Sequence, residues 1–217
     1  MDATWPSSRE VIRGEGTEMT ASPLDRAFYQ RSPRIVARQL LGRLLVSRIG
    51  GELVSGIIVE TESYLAKEDS ACHAARGRTP KTEVMFGEAC FSYVYPIHAK
   101  VCFNVVTQSV GRPSAVLIRA IEPVAGFAVI RRRRRIDALR DLTRGPARLC
   151  QALAIDRTHN GLDLTLGNRL WIEAKPARLV RPNEIRRTRR IGVTSAKDKM
   201  LRFVIAGNCF VSGPRNK

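Results

Sequence analysis

The chain has 217 residues, 44% of them hydrophobic, which is enough to bury one sizeable core and short for two independent domains. Its 37 Lys and Arg against 20 Asp and Glu give a formal net charge of +17, so polyanions are the default partners, with nucleic acid first among them. Five cysteines, odd in number and without a C-x-x-C pair, argue against a disulfide framework and against a zinc site, and no apolar run approaches membrane-spanning length.

Residues 1–22 mix Ser, Thr, Gly, Pro and charge without an apolar period and are expected to form a flexible tail. They lack a secretory apolar core, so an intracellular protein is expected. From Pro23 the pattern tightens into a single domain over 23–217. Ile35, Val36, Leu40 and Leu41 fall at helical spacing, Gly42 ends that helix, and a β-leaning run continues to Ile49. After Gly50-Gly51 come the strand-like runs ELVSGIIVETESYL, FSYVYPIHAKVCFNVVTQS and SAVLIRAIEP, whose short connections favour antiparallel neighbours. Glu122-Pro123 is expected to open a helix reaching Arg135, and Gly145-Pro146 a second one, PARLCQALAI, with proline where its missing N–H costs nothing. Further strands near 170–173 and 201–206 complete an α+β fold: a curved, largely antiparallel sheet with packed helices and a protruding hairpin.

Along IIVETESY the side chains alternate, placing Ile58, Glu60, Glu62 and Tyr64 on one face. An ordinary solvated acidic face is one reading. The other is that a polyanion-binding surface carries a carboxylate only where one is needed, as when cleavage of an N-glycosidic bond builds positive charge on the sugar and requires an activated water. Glu62 and Glu60 are both candidates.

In FSYVYPIHAKVCFNVV a four-residue turn at 97–100 sets Tyr95 opposite Cys102 and Tyr93 opposite Asn104. Tyr93 is expected in the core with a tethered hydroxyl. For Tyr95 a base-stacking surface, with Asn104 reading the base edge, stands beside the core reading. Lys81, His98, Lys100 and Arg112 are available to face phosphate. Arg119 interrupts the apolar alternation of VLIRAIE, where a buried charge needs a partner such as Glu60.

Taken together, ETESYLAKEDSACHA, FSYVYPIHAKVCFNVVTQ, AVLIRAIEP and GPARLCQALAI resemble the alkyladenine (3-methyladenine) DNA glycosylase family, in consistent order from roughly Leu24 to Ser212. The resemblance implies a hairpin that enters the minor groove of duplex DNA, rotation of a damaged purine into a pocket, no metal and no cofactor. It implies that Glu62 activates water, that Tyr64 and Tyr95 wall the base pocket, and that His73 stacks on and hydrogen-bonds the flipped nucleotide. Asn104 would then clash with the 2-amino group of guanine, and Arg119 would hold Glu62, water or a DNA phosphate. A monomer in the bacterial cytoplasm or nucleoid, acting on double-stranded DNA with no membrane partner, is the matching expectation.

One segment departs from the pattern. The family hairpin carries a wedge tyrosine within I-Y-G-M-Y, whereas this chain reads I-H-A-K-V, which leaves His98 nearest the wedge position. Arg131 to Arg135 sweep more than a full helical turn, so part of that run is solvated or paired with Asp137 and Asp141. Residues 186–190 and 197–202 are expected to make non-specific phosphate contacts as groups. The helix start at Gly145-Pro146 is read equally as a phosphate site and as ordinary capping. The competing functional class is a non-catalytic nucleic-acid-binding module with Phe91, Tyr93 and Tyr95 as its stacking platform.

Overall fold

The computed structural model describes residues 21–97 and 99–213. The expected tail falls outside them except for Ala21 and Ser22, and the carbonyl of Ser22 already accepts the Ala174 N–H at 2.7 Å. His98, expected at the wedge position, also lies outside the described residues.

The chain opens with α1 (Arg26–Tyr29), capped by the Asp25 side chain on the Phe28 N–H at 2.8 Å. It is followed by α2 (Pro33–Leu40), which has proline in its first turn and buries Val36, Ala37 and Leu40. Gly42 breaks the helix as expected. Its φ of +84° suits glycine, and a Cβ there would collide with the Arg178 carbonyl oxygen.

Eight strands follow: β1 (Arg43–Ile49), β2 (Glu52–Tyr64), β3 (Ser92–Ile97), β4 (Lys100–Thr107), β5 (Ser114–Ala125), β6 (Leu170–Pro176), β7 (Ile185–Thr188) and β8 (Arg202–Ile205). They form one antiparallel sheet in the order β3-β4-β5-β2-β1-β6, with β8 joining β2 and β7 joining β8. The thirteen-residue β2 is the axis of the sheet. β5 runs along one of its edges, while β1 covers the first part of the other edge and β8 takes over at Glu60–Glu62. The acidic segment therefore has strands on both sides, so the reading of a solvated acidic face does not hold.

Helices α3 (Phe127–Arg134) and α4 (Pro146–Ala152) complete the fold. The helix expected from Glu122-Pro123 starts later, because β5 continues to Ala125 with Glu122 opposite Ile57 and Pro123 opposite Gly56. Proline is tolerated there beside a register shift between Ser55 and Gly56. The run 186–190, read as a phosphate-binding group, begins within strand β7, and only its Arg186, Arg187 and Arg189 are exposed.

One large core contains Val36, Leu40, Leu45, Phe103, Ile118 and Leu149, all fully buried. Each such side chain contributes about 1.5–3 kcal/mol through loss of apolar surface from water. A smaller cluster of Met85, Tyr93, Tyr95, Cys102, Val106 and Leu117 packs under the β3–β4 hairpin. Cys72, Cys90, Cys102 and Cys150 are buried free thiols, as their reading as small apolar residues anticipates, while Cys209 is exposed.

Candidate active site

The hairpin register places Tyr93 opposite Asn104 and Tyr95 opposite Cys102, as the sequence indicates. The shared face becomes one wall of a cleft enclosing about 240 Å³ of empty space, part of it open to solvent. Tyr64, His73, Tyr95 and Asn104 line it together with Ala71, Met85, Tyr93 and Ala115. Among the described residues, no group of three or more His, Cys, Asp or Glu is arranged to hold a metal ion.

His73 begins a short 3-10 helix, His73–Arg76, and its Nδ1 lies 2.9 Å from the Tyr93 hydroxyl. Its ring meets Tyr95 edge-on, with centroids 4.4 Å apart. Burial, and then the charges of Lys81 and Arg76, lower the His73 pKa from 6.5, so the imidazole is neutral at pH 7. Burial raises the Tyr93 and Tyr95 pKa values, and burial together with the Glu62 carboxylate does the same for Tyr64. The cleft is thus walled by neutral aromatic groups. Lys81 Nζ sits 5.4 Å from the Tyr95 ring centroid. Asn104 donates from Nδ2 to the Tyr93 carbonyl at 3.0 Å, which fixes its amide plane. Tyr93 is buried with a tethered hydroxyl, as expected, and it also lines the cleft, which the sequence reading did not assign.

Glu62 does not itself line the cleft and is 0% exposed. The hydroxyl of Tyr64 donates to its Oε2 at 2.9 Å, and the Ile191 N–H donates to its Oε1 at 2.9 Å. Arg119 Nη1 approaches Oε2 at 3.4 Å. A carboxylate offers about four acceptor positions, so these three donors leave one for a further proton.

Arg119 reaches this point because the β2–β5 pairing slips. Glu60 pairs with Ala120 and Thr61 with Ile118, so Arg119 is passed over in the ladder. Its Nε donates to Glu60 Oε1 at 3.0 Å, so the structure gives Arg119 both acids of the strand. Burial opposes the Arg119 charge, but Glu62 and Glu60 together raise its pKa. Burial likewise opposes ionisation of Glu60, yet Arg119, Arg202 and the Ser212 N–H hold its carboxyl below the ordinary carboxylate range. Glu60 is thus saturated by structural partners, whereas Glu62 faces the cleft wall.

Several contributors escaped the sequence reading. Arg202, grouped there with phosphate-contacting residues, is buried and donates from Nε to Glu60 Oε1 at 2.6 Å. A charge interrupting the apolar run of LRFVI was the available signal, the same one that marks Arg119. Arg190, expected to contact phosphate with its neighbours, is buried against Asp69 across 121 residues of sequence, and no local pattern announces that pair. In the 131–135 run, Arg132 and Arg133 pair with Glu52 and Arg131 lies 4.0 Å from Asp137, while Asp141 pairs with Arg148. The α4 start has Gly145 at its N-cap without a side-chain cap, and the helix is only seven residues long.

An aromatic cleft beside a buried, hydrogen-bonded carboxylate, in a chain of net charge +17, fits the class of enzymes that act on nucleic acid. The family model for methylpurine-DNA glycosylase matches residues 27–209, and the chain belongs to that family. It is accordingly a monofunctional DNA glycosylase, a hydrolase of DNA repair whose substrate is DNA. It is 47% identical over 195 residues to a Rhodopirellula baltica protein named "Putative 3-methyladenine DNA glycosylase", covering 88% of this chain and 83% of the relative. Proteins of the same name from Carboxydothermus hydrogenoformans (47% identity; 87% and 98% coverage) and Mesorhizobium japonicum (42%; 95% and 96%) are similarly related.

Proposed function

We propose that the protein excises alkylated or deaminated purines, of the 3-methyladenine, 7-methylguanine and hypoxanthine type, from duplex DNA and leaves an abasic site. The nucleotide rotates out of the stack and its base enters between Tyr64 on one side and His73 and Tyr95 on the other. Residues at the hairpin tip, with His98 foremost in sequence, occupy the gap left behind. Water held by Glu62 attacks C1′ of the deoxyribose. The C1′–N bond breaks, its electron pair leaves with the base, and Glu62 takes the proton from water. Arg119 steadies the carboxylate. Cationic bases leave readily, and Asn104 excludes guanine by its 2-amino group. The protein acts as a monomer.

The observation that carries this reading is the Tyr64–Glu62 hydrogen bond of 2.9 Å, which joins a wall of the aromatic cleft to the water-activating candidate. The test is base release from alkylated and hypoxanthine-containing duplexes by wild type and Glu62→Gln. The variant is expected to lose roughly 10²–10⁴-fold in single-turnover rate while still binding DNA. Wild-type protein that binds both duplexes and releases no base would replace this reading with the non-catalytic binding module.

A further inference from the structure

Of the arginines at 186–190, Arg190 turns inward. Its side chain and that of Asp69 are both 0% exposed, and Nη1 and Nη2 grip the two carboxylate oxygens at 2.7 and 2.6 Å. Nη1 also donates to the Ser63 carbonyl at 3.1 Å. The guanidinium carbon lies 4.5 Å from the Tyr64 ring centroid, and the next backbone amide, that of Ile191, donates to Glu62 Oε1 at 2.9 Å. Two consecutive residues thus contact three consecutive residues of β2: Glu62, Ser63 and Tyr64. Asp69 in turn accepts from the Leu65 and Ala71 amides at 3.0 and 3.3 Å, which ties down the loop leading to His73.

A buried ion pair is a poor way to gain stability, because desolvating two charges offsets most of their attraction. Here the cost is compounded, since Arg190 Nε is buried without a hydrogen-bond partner. What the pair supplies is fixed geometry, through a planar fork that binds one carboxylate and stacks on one ring.

We propose that Arg190, locked by Asp69, is a positioning residue of the glycosylase site: it backs the Tyr64 ring and aims the Ile191 amide at Glu62. This rests on the roles given above to Glu62 and Tyr64. Without the lock, the Glu62 carboxylate loses its Oε1 donor and turns, while Tyr64 loses its support, so the water and the base no longer meet in one geometry. DNA affinity, which comes from phosphate contacts elsewhere, is unaffected.

The experiment compares wild type, Arg190→Lys and the paired Asp69→Leu/Arg190→Met variant. Single-turnover base release from an alkylated duplex is measured beside the Kd for a duplex holding a non-cleavable abasic-site analogue, with thermal unfolding followed for each protein. Arg190→Lys keeps the charge but loses the fork and the flat stack. It is expected to lower the release rate by roughly 10–100-fold with Kd unchanged. The apolar pair is expected to fold with a Tm near that of wild type and to remain slow. A wild-type rate in folded Arg190→Lys overturns the proposal, as does a rate loss in both variants that merely follows the loss of folded protein. Failure of the underlying reading is distinguishable, because wild type would then release no base.

Discussion

Asn104 and Glu60 show how differently two buried polar residues of one site can be employed. Asn104, held on the Tyr93 carbonyl, presents a fixed amide to the cleft; in the function proposed above, shortening it removes the obstacle to guanine. Asn104→Ser is expected to raise release of normal guanine by roughly tenfold, measured on undamaged duplex, and an unchanged rate would remove the exclusion role. Glu60 belongs to the scaffold. Its folded carboxyl is depressed below 4.5, so the stability it contributes is complete above that pH and is lost as pH falls through the folded value. Glu60→Gln is therefore expected to cost about 3–5 kcal/mol at pH 7, by leaving Arg119 and Arg202 undercompensated. It is also expected to flatten the dependence of urea stability on pH below 4.5. The face shared by Glu60, Glu62 and Tyr64 was readable from strand alternation. The division of labour between the two acids was not, because it depends on Arg202 and Ser212, which arrive from distant sequence.

At the scale of elements, hairpin register was legible because a period-two pattern and a short turn fix it, and the observed pairing agrees residue for residue. The junction of β5 and α3 was not. Glu122-Pro123 carries a helix-start signature, but pairing with β2 holds the strand to Ala125, and the turn is made at Gly126 instead. Gly126 has φ of +79°, and a Cβ there would stand 2.7 Å from the Leu53 carbonyl oxygen. Gly126→Ala is expected to lower stability by about 1–3 kcal/mol, read as a reduced denaturation midpoint at unchanged m. A neutral result would mean that the β2–β5–α3 corner yields easily. The register slip that frees Arg119 was equally hidden, since a bulge leaves no periodic mark in the sequence.

At the scale of the whole molecule, a net charge of +17 makes DNA affinity a matter of counterion release. Much of the arginine is nevertheless spoken for: Arg119, Arg190 and Arg202 are buried against Glu60, Glu62 and Asp69, and Arg132 and Arg133 pair with Glu52. Exposed Arg186 and Arg187 remain for phosphate, as does Arg189, whose ion pair with Asp198 at 3.5 Å is exposed on both sides. Replacing each of these three with Gln is expected to reduce the slope of log K against log salt by about one for every phosphate that is no longer neutralised, across damaged and undamaged duplex alike. No change in slope would place the DNA path elsewhere. The sequence by itself determined the α+β class, the alternation that puts Glu62 beside Tyr64, the Tyr95–Asn104 face and the family, because each is written in local period or contiguous motif. Only the tertiary structure decided which charges are buried, how Arg119 reaches both acids, and that Arg190 pairs with Asp69 against the Tyr64 ring. Those ion pairs join residues 57 to 142 positions apart, and pairing at such range is set by how strands stack in the sheet and not by any local pattern.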